Sequence, residues 1–477
     1  MNTQEYALLT DFYELTMANG YFESGVAEDI ASFDLFFRRV PDKGGFAIMA
    51  GLEQVIDYLE NLAFSEDDIA FLRGKGEFSD AFLRYLRHFR FSCDMWSVPE
   101  GTPVFPGEPI ITVRGPLIQA QFIETMLLLL INHQSLVATK ANRIVRAAAG
   151  RGVMEFGTRR AHGSASAELG ARAAYIGGCV GTACSVCEKD YGIPALGTMA
   201  HSWVQVFSSE YEAFKTYAEL YPDNCTLLVD TYSTLKSGIP NAIRVFKELD
   251  PPSKAIRIDS GDITYLTKRA RVMLDEAGLT DCKIVVSNSL DEWLIRDVIL
   301  QGAKIDSFGV GERLITAASE PVFGGVYKLA AVETDGVLTP KMKISENVEK
   351  ITNPGFKCVY RLFDKTSGRV MADVITLDHE PAPTGDDYVI FDPAFTWKRK
   401  KLSNFTAVNL RKIIFDGGRC VYERPAIDEI RSYCAGQVST LWDELTRFEN
   451  PQSYYVDLSD ELWRLRTELI EQYNSEL

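Results

Sequence analysis

Val153-Met154-Glu155-Phe156-Gly157-Thr158-Arg159-Arg160-Ala161-His162-Gly163 begins as a short apolar strand and ends in glycine, arginine and histidine. Pro194-Ala195-Leu196-Gly197-Thr198-Met199-Ala200-His201-Ser202-Trp203 reads as a second strand on the same plan. A strand that leaves a core and delivers such groups at its carboxyl end is where α/β enzymes place their ligands. Between the two lies Arg160 to Ala174, mostly small residues, which reads as a crossover helix pressed against a sheet.

Working outward, the same beat recurs. Thr226 to Val229 ends in Asp230-Thr231-Tyr232, and Lys254 to Ile258 ends in Asp259-Ser260-Gly261-Asp262. Lys283 to Val286 ends in Ser287-Asn288-Ser289, and Ile305 to Phe308 ends in Gly309-Val310-Gly311-Glu312. Gly325 to Val332 is a last strand candidate, and Ala174 to Gly178 counts as a short one. Helical patterns such as Thr264 to Glu276 and Asp291 to Gln301 separate them. About eight strands spaced roughly 20 to 30 residues apart predict an α/β fold with a (β/α)8-like barrel. The polar ends continue through the whole series instead of gathering at one switch point.

At 477 residues the chain exceeds one core. The expected division is an amino-terminal α+β domain over 1–120, completed by segments from about 341–400, then a barrel over 121–340. A carboxyl-terminal region over 341–477 packs on the first domain and ends in helices. A net charge of -16 argues against nucleic acid as a partner, because phosphate-backbone binding needs clustered Lys and Arg. Met1 to Tyr6 has no basic leader pattern, and the greasiest run, Met126 to Ile131, is too short to span a bilayer. Cytoplasm is the expected location. Cys184 and Cys187 have a redox or metal spacing, but no second pair or nearby His completes a zinc set, so they read as buried free thiols.

Asp11 and Glu14 are placed as a capping box for a helix reaching Tyr21. Arg38 and Arg39 end a strand, either solvated or touching phosphate. Leu117 to Ala149 reads as one long helix whose Lys140, Arg143 and Arg146 share a solvated flank. Trp397-Lys398-Arg399-Lys400-Lys401 is the densest basic run, a surface turn or an anion contact.

Asp259-Ser260-Gly261-Asp262 suits sugar hydroxyls or an Mg²⁺-bound phosphate, and is equally good turn chemistry. Gly309-Val310-Gly311 at a late strand end is the better phosphate candidate. His201, one of five histidines, lies just past a strand end and is a candidate acid, base or nucleophile.

The stretches 10–17 (Thr-Asp-Phe-Tyr-Glu-Leu-Thr-Met), 155–161, 197–202, 257–262 and 308–311 together resemble the nicotinate phosphoribosyltransferases of bacterial type, and the likeness covers essentially the whole chain. That resemblance implies an irregular α/β barrel of the type II phosphoribosyltransferases. It implies that nicotinate displaces diphosphate from 5-phosphoribosyl 1-diphosphate (PRPP) to give nicotinate mononucleotide for NAD synthesis, with ATP hydrolysis coupled through a phosphohistidine. His201 would carry the phosphate. Phe156 and Tyr13 would sandwich the pyridine ring, with Tyr13 arriving from the partner of a homodimer with shared sites. Arg159, Arg160 and Arg257 would lie near the carboxylate or phosphates, Asp259 and Asp262 near the ribose and Mg²⁺-diphosphate, and Gly309 and Gly311 around the 5-phosphate. Many members have Thr-Ser-Asn where this chain has Thr182-Ala183-Cys184. Rival readings are a nicotinamide- or quinolinate-using relative, or a non-catalytic dimeric scaffold.

Overall fold

The structure is a computed structural model that describes residues 6–347, 350–385, 387–393 and 395–476. The leader question falls on residues 1–5, outside the described ones. The chain forms two compact units, Val137–Pro321 and the pair Met1–Leu136 with Val322–Leu477.

The Val137–Pro321 unit holds a six-stranded sheet, numbered here in chain order. Its strands are β1 (Gly152–Glu155), β2 (Gly181–Thr182), β3 (Thr226–Leu228), β4 (Ala255–Ile258), β5 (Lys283–Asn288) and β6 (Ser307–Val310). They lie in the order β2-β1-β6-β5-β4-β3, and every pairing is parallel. Parallel neighbours require crossovers, and helices such as Ser164–Ile176, Ile239–Leu249, Ile263–Glu276 and Glu292–Leu300 supply them. Ile239, Ala242, Val245 and Phe246 show how one helical stripe is buried. The α/β architecture is as expected. Among the described residues no ladder joins β2 to β3.

Three strand expectations need correction. Ala174 to Gly178 is the end and cap of the helix Ser164–Ile176, since the alanines of that helix favour the helical state, and the strand comes later, at Gly181–Thr182. Gly177 is required there, because a Cβ would lie 2.5 Å from the Ala138 carbonyl oxygen. Pro194 to Trp203 contributes only a single bridge, Thr182 to Ala195, and His201 instead opens the helix His201–Val206. Gly325–Thr334 belongs to the other unit, paired antiparallel with Ile30–Phe37.

In that other unit, segments from both ends of the chain build one seven-stranded sheet. Gly325–Thr334, Ile30–Phe37, Ile111–Pro116, Asp94–Ser97 and Lys412–Asp416 are successive neighbours. A second sheet of four strands centres on Lys357–Asp364 and Val370–Leu377, and the tail carries the helices Ile427–Ser439 and Asp460–Glu476. Glu14 does not close a capping box: its buried carboxylate accepts from Thr125 N at 2.9 Å and Thr125 Oγ1 at 2.6 Å. Leu117 to Ala149 breaks at Ile123 into Leu117–Phe122 and Glu124–Ala147. Lys140 and Arg143 are not solvated. Both are buried and converge on buried Glu292, Lys140 Nζ donating to Oε1 at 2.8 Å and Arg143 Nε at 3.0 Å. No helix among the described residues is long and apolar enough to cross a membrane.

Candidate active site

The carboxyl ends of β1, β4, β5 and β6 surround one cavity of about 170 Å³. Its floor follows from strand register. Arg257 on β4 faces Val285 on β5, so Asp259 and Ser287, each two residues on, come together by the two-residue period of a strand. Ser287 in turn faces Gly309 on β6, and Gly309 faces Met154 on β1.

Phe156 is held just past β1 by its N–H, which donates to the Val310 carbonyl at 2.8 Å. Its ring lies against Gly309, where a Cβ would fall 2.5 Å from Phe156 Cδ2. Gly309 therefore seats the ring, a role beyond the phosphate contact expected from sequence. Glu155, fully buried, turns back to fix the following bend: Oε1 accepts the Gly157 N–H and Oε2 accepts Thr182 Oγ1 at 2.6 Å. Burial pushes the Glu155 carboxyl up, against those two hydrogen bonds. Thr182 also accepts the Cys184 N–H at 2.9 Å, so the departure at residues 182–184 keeps its anchoring hydroxyl. Beyond the bend, Arg159 and Arg160 stand exposed on the cavity rim in the turn Thr158–Arg160.

Arg257 is the hub. Nε donates to Ser287 Oγ at 2.7 Å, one terminal nitrogen to Thr198 Oγ1 at 2.9 Å and the Met199 carbonyl at 3.3 Å, and the other to Asp259 Oδ1 at 2.8 Å. Its guanidinium carbon lies 5.8 Å from the Phe156 ring centre, within cation–π range. Asp259 Oδ1 also accepts from Ser287 Oγ. Burial alone would raise the Asp259 carboxyl, but the Ser287 hydrogen bond and the Arg257 charge prevail and hold it below the usual carboxylate range. His201 Nε2 is 3.9 Å from Asp259 Oδ2, and Nδ1 is 3.1 Å from Thr231 Oγ1. Asp230 accepts from the Asp259 N–H at 3.0 Å and from Ser260 Oγ at 2.6 Å through Oδ2, while its Oδ1 is buried without a hydrogen-bond partner among the described residues.

The cavity thus gathers Phe156, Arg159, Arg160, Arg257, Asp259, Gly309 and Gly311, with His201 beside Asp259. Asp262 is turned to another task, capping the helix Ile263–Glu276 by accepting the Tyr265 N–H at 2.9 Å. Tyr13 lies in the other compact unit on the helix Phe12–Ser24, 44% exposed. Burial and then the Glu124 charge raise its phenol. Sequence reasoning assigns no role to Ser287, Asp230, Thr231 or Glu155; their signal is that each stands at the end of a strand.

No group of three or more His, Cys, Asp or Glu gathers as a metal cage among the described residues. Mg²⁺ needs none, being commonly held by one or two carboxylates plus substrate phosphates. Asp230 Oδ1, which lacks a hydrogen-bond partner among the described residues, and the carboxylates of Asp259 and Asp262 fit that mode as hard oxygen donors.

Three models of one family cover nearly the whole chain. The nicotinate phosphoribosyltransferase N-terminal domain matches residues 8–132, the family's own model residues 152–357, and its C-terminal domain residues 356–466. A nicotinate phosphoribosyltransferase of Bacillus subtilis is 45% identical over 473 residues, 99% of this chain and 96% of that one. The crystal structure of the human nicotinic acid phosphoribosyltransferase superposes with a TM-score of 0.85 at 30% identity, covering 97% of this chain and all of that one. In fold alone, a nicotinate-nucleotide pyrophosphorylase from Pyrococcus furiosus is similar too, with a TM-score of 0.69 at 24% identity over 91% of this chain and 95% of that one. With these matches and the cavity at its strand ends, the chain belongs to the nicotinate phosphoribosyltransferase family.

Proposed function

We propose that the protein joins nicotinate to PRPP, releasing diphosphate and forming nicotinate mononucleotide, with ATP hydrolysis coupled through phosphorylation of His201. The observation that carries this reading is the single cavity uniting the Phe156 ring, the exposed guanidiniums of Arg159 and Arg160, and the Asp259 carboxylate. Phe156 offers a face for the pyridine ring. Arginine meets a carboxylate with two parallel charge-assisted hydrogen bonds, which favours nicotinate over its uncharged amide. Asp259, held ionised, suits the ribose hydroxyls and the electron-poor C1 that develops as diphosphate departs.

The pyridine nitrogen is itself the nucleophile, so this chain's residues align the reactants and need no strong base. Gly311 and the neighbouring backbone would receive the 5-phosphate. Mg²⁺, held by Asp259 with Asp230 or Asp262, would neutralise charge on the leaving diphosphate. Tyr13 of the partner subunit would cover the open face of the ring, making the working unit a homodimer. The nine cysteines are thiols and not disulfides, which accords with a cytoplasmic setting.

The test is transfer of label from the γ-phosphate of ATP. Wild-type protein should acquire acid-labile, base-stable phosphate and a His201→Ala variant none, while slow PRPP-dependent synthesis persists in the variant. Equal labelling of both proteins would refute the assignment.

A further inference from the structure

We propose that Ser287 is a positioning residue for the transfer reaction: its hydroxyl closes a ring with Arg257 and Asp259 that leaves one carboxylate oxygen for the ligand. A serine hydroxyl has one proton and two lone pairs. Here the proton goes to Asp259 Oδ1, and a lone pair receives Arg257 Nε at 2.7 Å. Arg257 completes the ring by donating to the same Asp259 Oδ1 at 2.8 Å. One oxygen of Asp259 is thereby committed twice to the protein. The other, Oδ2, accepts no hydrogen bond from the described residues, and His201 Nε2 lies 3.9 Å from it.

Ser287 is buried at 4% exposure, lines the cavity, and is set by strand register rather than by a mobile loop. Without its hydroxyl the Asp259 carboxylate is held at Oδ1 by Arg257 alone and is less restrained about its last bond, and Arg257 Nε loses its Ser287 acceptor. Arg257 also carries the Thr198–Met199 segment that leads into His201, so slack in the ring spreads to that histidine.

This inference rests on the reading of Asp259 as a PRPP-facing group, and a substitution series tests it. Ser287→Thr keeps the hydroxyl and adds a methyl. Ser287→Cys keeps the approximate size and loses the strong donor. Ser287→Ala loses both. A positioning hydroxyl predicts that the Thr enzyme keeps kcat/KM for PRPP within about threefold, while Cys and Ala each fall about 10- to 100-fold, the range for hydrogen bonds to charged groups. The loss should exceed any change in KM for nicotinate, with melting temperatures close to wild type. A residue that only fills space predicts the reverse order, Cys near wild type and Thr worst, and that order overturns the proposal. Losses that simply track melting temperature across the series overturn it as well. If Ser287→Ala fails to fold, the Thr and Cys pair still decides. A wild-type enzyme that does not consume PRPP with nicotinate would instead refute the reaction assigned above, before any Ser287 variant is compared.

Discussion

A single methyl group placed at Gly309 should displace the Phe156 ring, the proposed pyridine seat, without breaking the fold. Gly309 is absent from the glycines with left-handed backbone, so alanine is free of conformational strain there. The obstacle is steric: the new carbon would lie 2.5 Å from Phe156 Cδ2, 2.6 Å from Cε2 and 3.3 Å from Ser287 Cβ. Carbon contacts settle at about 3.5–4.0 Å, so the ring must move by roughly 1 Å. Overpacking of this kind costs about 1–3 kcal/mol of stability. A shift of about 1 Å in a group that aligns a reactant costs up to about 100-fold in rate. Steady-state kinetics of Gly309→Ala should therefore show kcat/KM for nicotinate falling about 10- to 100-fold, with KM for nicotinate rising more than KM for PRPP. Adding Phe156→Leu removes the colliding ring edge, so the double variant should regain stability in urea unfolding but not nicotinate affinity. Unchanged nicotinate kinetics and unchanged stability in Gly309→Ala would refute this account of the glycine.

Other expectations follow from groups away from the ring. Glu292→Gln removes the carboxylate shared by buried Lys140 and Arg143, and should cost about 3–5 kcal/mol in urea unfolding; a loss below about 1 kcal/mol would show that other groups neutralise the cluster. Burial pushes the Glu14 carboxyl up to about 7, against hydrogen bonds from Thr10 and Thr125. The folded state therefore binds this proton more tightly than the unfolded chain. Its stabilising contribution is present below the unfolded value near 4.5 and is lost as pH rises through about 7. Glu14→Gln should gain roughly 1–3 kcal/mol over wild type at pH 8 and nothing at pH 4, and a pH-independent difference would contradict it. For the proposed shared site, inactive Tyr13→Ala and inactive Asp259→Asn homodimers, allowed to exchange subunits, should recover activity at one of the two heterodimer sites; verified exchange without recovery would count against sharing. Alanine scanning of Arg159, Arg160 and Arg257 should change the nicotinate-to-nicotinamide ratio for a carboxylate ligand and lower both values together for a phosphate ligand.

The strands ending in Glu155, Leu228, Ile258, Asn288 and Val310 were legible because each apolar run stops abruptly in polar residues. Ala174 to Gly178 misleads because an apolar run of that length serves a buried helix as readily as a buried strand. Gly325 to Val332 is a true strand, but which sheet receives it depends on pairing with Ile30–Phe37, almost 300 residues earlier, and periodicity carries no such information. Lys140 and Arg143 read as solvated because their only visible partners are one another. The carboxylate that makes burial tolerable, Glu292, is on a different helix. Among site residues, Phe156, Arg257 and Asp259 announce themselves by residue type. Ser287 does not, since its meaning arises only when parallel register sets it against Asp259.

The most direct measurement is product formation by the purified protein with PRPP and Mg²⁺, crossing nicotinate, nicotinamide and quinolinate with ATP present or absent. A site with exposed Arg159 and Arg160 beside Phe156 predicts nicotinate mononucleotide from nicotinate, stimulated by ATP. It also predicts a kcat/KM at least about 100-fold above that for nicotinamide, the scale set by leaving a charged donor poorly paired. Equal use of nicotinamide, or product from quinolinate alone, would contradict the account.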